Sequence, residues 1–345
     1  MVMRIAVLAL AMSVMLAGQT TRPGAPPEAT ITNGLVTARL YLPDRASGFY
    51  RGTRFDWSGV VGHLEYAGHT YYAQWFTASD ETTRDFTDTG TAIIAGPNSA
   101  ITGPSEEYST DGKGLGYDDA PAGGTFIKIG VGVLRKPADG GTYSQFRLYE
   151  IVDGGQWTVR PSSDAVAFTH VLSDASSGYG YEYRKTVRLE RGQPELVIEH
   201  TLVNRGTRPL TTSVYNHNFL TLDGQTTGAD FSIEAPYAIT TTRPPNPALA
   251  SVQDRKVVYA RPLGPREVAS TPLLGFGPTA ADYHFRIENA HAGAGVEIAG
   301  DRPLSNASLW SIRTVIAIEP FVTMTVAPGE SVSWGVRYRY YLTRT

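Results

Sequence analysis

The sequence predicts an all-β chain, built as a large antiparallel sandwich or closed sheet. Three observations carry this. Short runs rich in Val, Ile, Thr, Tyr and Phe recur from Ala29 to the end of the chain. Turn residues separate them, and 36 Gly with 22 Pro suffice to place a break after every run. Between the breaks there is no amphipathic helical pattern longer than about two turns. No fixed-period repeat occurs, which disfavours propellers and solenoids.

The elements follow in order. Arg4, the apolar run Ile5 to Ala17 and the small-residue exit Leu16-Ala17-Gly18 read as a secretory signal peptide over 1–18, too short for a good membrane span. Gln19 stands where a lipoprotein would carry its anchoring cysteine, so an exported protein, periplasmic or secreted and without a membrane anchor, is expected. The Pro-rich segment 19–28 reads as a linker, and 29–345 as a single domain. Strands are expected at ATITNGLVTARLYL, SGVVGHLEYAGHTYYAQWF, GTFIKIGVGVLRK, FRLYEIV, AVAFTHVL and YGYEYRKTVRLE. Further strands are expected at ELVIEHTLVN, TTSVYNHNFLTL, HFRIENA, GVEIAG, TVIAIEP and SVSWGVRYRYYL. Glu65 to Thr70 reads as a hairpin turn. Thr241 to Pro265 is Pro-rich and reads as a long loop over one face.

Composition narrows the function classes. A net charge of −3 and a pI near 6.2 leave no electrostatic footprint for nucleic acid. The chain has no cysteine, which excludes disulfides, thiol catalysis and thiolate metal sites. No G-x-S-x-G or H-E-x-x-H motif occurs. The acidic loop Asp111 to Asp119 lacks EF-hand spacing, and its glycines follow neither phosphate-loop nor dinucleotide patterns.

Two placements are chemically costly. In TTSVYNHNFLTLDG a histidine and asparagines sit where a strand-like run meets a turn. In VIAIEPFVTMTV the carboxylate of Glu319 is flanked by Val315, Ile316, Ile318 and Phe321. Chemistry is therefore sought at His217 and Glu319.

The stretch SGYGYEYRKTVRLERGQPELVIEHTLVNRGTRPLTTSVYNHNFLTLDG resembles the central part of galactose mutarotase-like (aldose 1-epimerase) proteins, whose N-H-x-x-F-x-L-x-G motif reads N-H-N-F-L-T-L-D-G here, with Leu220 at the phenylalanine position. GVEIAGDRPLSNASLWSIRTVIAIEPFVTMTVAPGESVSWGVRYRYY is similar to their ending. The resemblance covers Ser177 to Thr345. It implies a β-supersandwich with His217 as general acid and Glu319 as general base, and a cofactor-free, metal-free isomerase of the mutarotase type. Pyranose opening needs one proton removed from the anomeric hydroxyl and one given to the ring oxygen, which suits that pair. Burial is expected to raise the pKa of Glu319, and a nearby carboxylate to keep His217 protonated. The family's upstream H-G histidine has no counterpart, since neither His63 nor His69 is followed by its pattern. The region that would hold it carries Glu106, Glu107 and the acidic loop.

The expected ligand is a carbohydrate, mono- or oligosaccharide, touched by Arg54, Glu107, Tyr215, Asn216, Trp310 and Arg313. Polysaccharide lyase or glycosidase action on an oligosaccharide or uronate, and noncatalytic carbohydrate binding, stand as alternatives. Each residue also has a structural reading. His217 can be a satisfied strand-end histidine, and Glu319 can pair with Arg313. Arg51 and Arg54 can pair with Asp56. Trp57, Trp75 and Trp310 can be core, and Glu106 and Glu107 can belong to a solvated loop. His200 reads as inward-facing and structural, and Asn306-Ala307-Ser308 as a formal glycosylation acceptor.

Overall fold

The computed structural model of the chain describes residues 24–343. Strands dominate there, and the helical turns among the described residues are two short 3-10 segments, Leu222–Gly224 and Ala280–Asp282. The expected signal peptide and residues 19–23 of the expected linker lie outside the described residues. Glu28, read as linker, instead opens the first strand, Glu28–Thr32, opposite Tyr41.

A ten-stranded antiparallel sheet forms the larger layer. Its centre is the meander Ala165–Asp174, Tyr179–Leu189 and Glu195–Asn204, joined to the long C-terminal strand Ser331–Leu342. Burial alternates along these strands, so Phe168, Tyr181, Tyr183, Ile198, Leu202, Trp334, Tyr338 and Tyr340 share the inner face. Each such side chain taken from water contributes about 1.5–3 kcal/mol. The outer face carries Arg and Glu pairs, such as Arg188 with Glu199.

Against that inner face lies a five-stranded sheet in the order Ala269–Pro272, Asn306–Ile312, Val315–Val326, Leu210–Phe219 and Gly103–Ser109. Its middle is covered on both sides. This is why Val214 to Phe219 and Val315 to Ile318 are buried as continuous runs rather than alternating.

Smaller sheets flank these layers. The N-terminal one includes the expected hairpin, Val60–Tyr66 and His69–Tyr72. Its turn places Ala67 at φ 51° and Gly68 at φ 85°, a left-handed pair that matches strand twist. Ala78–Ser79 and Ile93–Ala95 pair in parallel, a local exception to the antiparallel pattern. The expected loop 241–265 is a correction. It contains the hairpin Ala250–Gln253 and Lys256–Tyr259 at the edge of the large sheet, held down by buried Leu249, Val257 and Tyr259. No helix among the described residues is long and apolar enough to cross a membrane.

Candidate active site

The strands Leu210–Phe219 and Val315–Val326 pair from Leu210 and Val326 as far as Tyr215 and Phe321. They meet again at Leu220 and Ile316 in the same register. Between these points the backbone ladder parts, and the shared register sets His217 opposite Glu319. Pro320 has no N–H to give across the gap. Asn218 fills it from behind, its Nδ2 donating to Asn216 O at 3.2 Å and Ile318 O at 2.8 Å. The Asn218 Oδ1 accepts from the Tyr338 hydroxyl at 2.9 Å, so the large sheet anchors the wedge.

Alternation along the strand sends Tyr215, His217 and Phe219 to the opposite side from Asn216 and Asn218. The first three line a cleft of about 310 Å³ together with Glu319, Arg54, Glu107, Trp75 and Trp310. His217 Nε2 lies 3.1 Å from Glu319 Oε1. The other carboxylate oxygen accepts from Ser308 Oγ at 2.6 Å, Ser308 being the cross-strand neighbour of Glu319. The imidazole lies flat on Phe219, centroids 3.8 Å apart, and Phe219 in turn stacks on Trp75. Phe55 and Trp310 meet the imidazole steeply from the sides.

This packing decides the charge states. Burial drives the His217 pKa well below its ordinary 6.5, and the Arg54 charge adds to the effect. The expectation of a protonated His217 is therefore corrected: burial among aromatic rings and the Arg54 charge both disfavour the imidazolium. Burial raises Glu319, opposed by the Ser308 bond and by Arg54. His217 Nδ1 is buried without a protein partner.

One wall of the cleft is a fixed charged group. Arg54 gives Nε to Glu107 at 2.7 Å and Nη2 to the Tyr215 hydroxyl at 2.8 Å; that hydroxyl donates to Glu107 at 2.7 Å. Lys128, fully buried, holds the second Glu107 oxygen at 3.0 Å. Glu107 stays ionised, because these cations and bonds outweigh the upward push of burial.

Of the expected contacts, the cleft gathers His217, Glu319, Arg54, Glu107, Tyr215 and Trp310. Two do not reach it. Asn216 points to the far face, where its Nδ2 donates to Glu106 at 3.0 Å. Arg313 lies in the turn after Ile312, outside the period-2 pattern, and binds Asp88 at 2.9 Å rather than Glu319. Glu106 and Glu107 are strand residues and buried, so the solvated-loop reading also falls. Asp56 pairs with Lys185 instead of Arg51 or Arg54, and Arg51 is exposed and bonded to Ala46 O. His63 and His69 bind Glu65 and Asp223, apart from the cleft lining. In the acidic loop, Asp118 and Asp119 pair with Lys113 and Arg208. Sequence reading missed Ser308, Phe219 and Asn218. Only the last carries a signal, an asparagine amid strand residues that needs partners for its amide.

Behind the cleft, Glu106 accepts from His200 at 2.8 Å and Asn216, and pairs with Lys185. Lys185 also lies 3.3 Å from Asp56, which takes the Ser58 and Tyr183 hydroxyls. The network is sealed from solvent.

No family model and no curated protein matches the chain. Solved structures do. The Slr1438 protein from Synechocystis sp. PCC 6803 is 13% identical at TM-score 0.53, covering 92% of this chain and 96% of that one. The galactose mutarotase related enzyme from Lactobacillus acidophilus is 12% identical at TM-score 0.51, covering 92% and 98%. The GalM/aldose epimerase homologue from C. elegans is 14% identical at TM-score 0.50, covering 93% and 100%. The chain has the galactose mutarotase-like fold. In this fold the cleft lies on the five-stranded sheet, on the face turned away from the Glu106 network.

Proposed function

We propose that the cleft binds a sugar and that His217 and Glu319 move protons at its anomeric centre, as in aldose 1-epimerisation. The observation that carries this is the 3.1 Å contact between the two groups on the cleft face. The depressed imidazole and the raised carboxyl favour a state in which one proton rests on Glu319 and His217 is a free base. Transfer along the contact gives the alternative form, with Glu319 as base and His217 as acid. Either form can take a proton at one atom while giving one at its neighbour.

A sugar presents a matching pair. The anomeric hydroxyl and the ring oxygen are both attached to C1, and each can replace one end of the His217–Glu319 contact. The dyad removes the hydroxyl proton and protonates the ring oxygen as the C1–ring oxygen bond breaks. C1 becomes an open-chain carbonyl, and closure on its other face reverses the transfers. Trp310 and Phe86 offer apolar surface for a sugar face. The names of the similar structures, galactose mutarotase and aldose epimerase, support the same reading.

The test is to follow freshly dissolved α-glucose and α-galactose by polarimetry or NMR. Acceleration by the protein that His217→Asn and Glu319→Gln both abolish is the expected result. A folded protein that accelerates neither sugar nor any acidic analogue overturns the proposal.

A further inference from the structure

A second cavity, of about 600 Å³ against about 310 Å³ for the cleft, is built by the same loops. Gly52 lines the second cavity and Arg54 the cleft. Pro97 and Ser99, and Leu148 and Phe146, divide between the two in the same way. Each pair is two positions apart in the chain, a span of at most about 7 Å, so only a thin wall separates the two spaces.

The wall is fixed by buried hydrogen bonds. Fully buried Asn98 accepts from Thr53 N at 2.7 Å and donates to Gln145 O at 3.1 Å, and the Thr53 hydroxyl donates to Arg147 O at 3.3 Å. Gly52 passes so near Pro97 that a Cβ on it would lie 2.6 Å from the Pro97 carbonyl oxygen. Trp57, also in the lining, donates its Nε1 to Gly52 O at 2.8 Å. A ligand therefore meets a cavity that is already formed.

The second lining suits a neutral polyhydroxyl ligand. Phe49 is stacked on Tyr41 with centroids 4.1 Å apart, which leaves its other face and its edge for a ligand. Exposed Arg45 and Arg51 are balanced by exposed Asp80 and Glu81, while Glu150 is engaged by Arg135 at 2.9 Å. Hydroxyl groups both donate and accept, so they find a partner at either sign of charge. An ion of either sign would meet repulsion as well as attraction.

We infer that the second cavity holds further units of a neutral oligosaccharide whose reducing-end sugar occupies the cleft. This deepens the proposed function and rests on it for the sugar in the cleft. The orientation follows from the chemistry. Only the reducing-end unit has a free anomeric hydroxyl, so that unit must face His217 and Glu319, and the rest of the chain crosses the thin wall.

The experiment reads binding apart from turnover. Isothermal titration calorimetry compares glucose and galactose with cellotetraose, maltotetraose and galactotetraose, and the quantity read is the ratio of tetrasaccharide to monosaccharide affinity. Ser79→Ile adds bulk to the second cavity from an exposed position, and Glu81→Ala removes an acceptor from it. The expected result is at least one tetrasaccharide bound about tenfold or more tighter than its own monosaccharide, a ratio that Ser79→Ile returns to near one and Glu81→Ala lowers. A ratio near one for all three chains, or a gain that neither substitution changes, overturns the inference. Equilibration of the monosaccharides without any tetrasaccharide gain sinks this inference and leaves the proposed function standing. A tetrasaccharide gain lost in Ser79→Ile, with no accelerated equilibration of any sugar tested, does the reverse.

Discussion

His217 and Glu319 occupy facing register positions on two strands whose backbones have separated there. Their separation of 102 positions in sequence is irrelevant to their spacing, which the sheet sets. Two groups acting as one unit should fail together. Glu319→Gln and His217→Asn are each expected to lower sugar equilibration by about 10²–10⁴-fold, and the double variant to be little worse than either. Initial rates by polarimetry, with circular dichroism as a folding control, check this.

The working state holds one proton on the pair, which fixes the pH profile. Glu319 has a raised pKa, so activity falls as pH rises through that value and the shared proton is lost. At low pH, below the depressed His217 value, a second proton silences the base. Ser308→Ala removes a bond that lowers the Glu319 pKa. Its alkaline limb should move to higher pH, and its rate should drop about tenfold as the carboxylate loses its hold. A limb that stays in place would detach Ser308 from the chemistry.

Glu106 supports the core from the other face of its strand. Burial pushes its pKa up, but Lys185 and His200 outweigh that and bring it down to about 2. Lys185→Met leaves two buried carboxylates without their cation, and should cost about 3–5 kcal/mol in urea unfolding. Arg188→Ala on the exposed face should cost below about 1 kcal/mol. The depressed Glu106 contributes stability above its ordinary 4.5 that is lost as pH falls toward 2.

His170 gives an earlier acid response. Burial against Trp157 lowers its pKa from 6.5 to about 4. The unfolded chain therefore takes up a proton that the folded one refuses, and stability declines as pH falls from 6.5 toward 4. His170→Gln should flatten that part of the curve, measured as melting temperature against pH.

The fold was legible because strand runs and turn residues are local signals. His217 and Glu319 stood out because a titratable group inside an apolar run is costly wherever the chain leads. Less local facts escaped. Glu106 and Glu107 sit among Gly, Pro and Ser and read as loop, although their partners Lys185, His200, Arg54 and Lys128 all come from distant segments. Ser308 read as part of a glycosylation signal, and its bond to Glu319 depends on strand pairing. Arg313 was read as a partner for Glu319, but it sits in the turn between Ile312 and Val315, where no strand fixes its face.

The parting of the two central strands has a kinetic consequence. Because Pro320 and the Asn218 wedge hold it open through covalent structure and buried bonds, no ligand is needed to prise it apart. Association then carries little waiting time for backbone rearrangement, and differences among sugars should appear in how long each stays rather than in how fast it arrives.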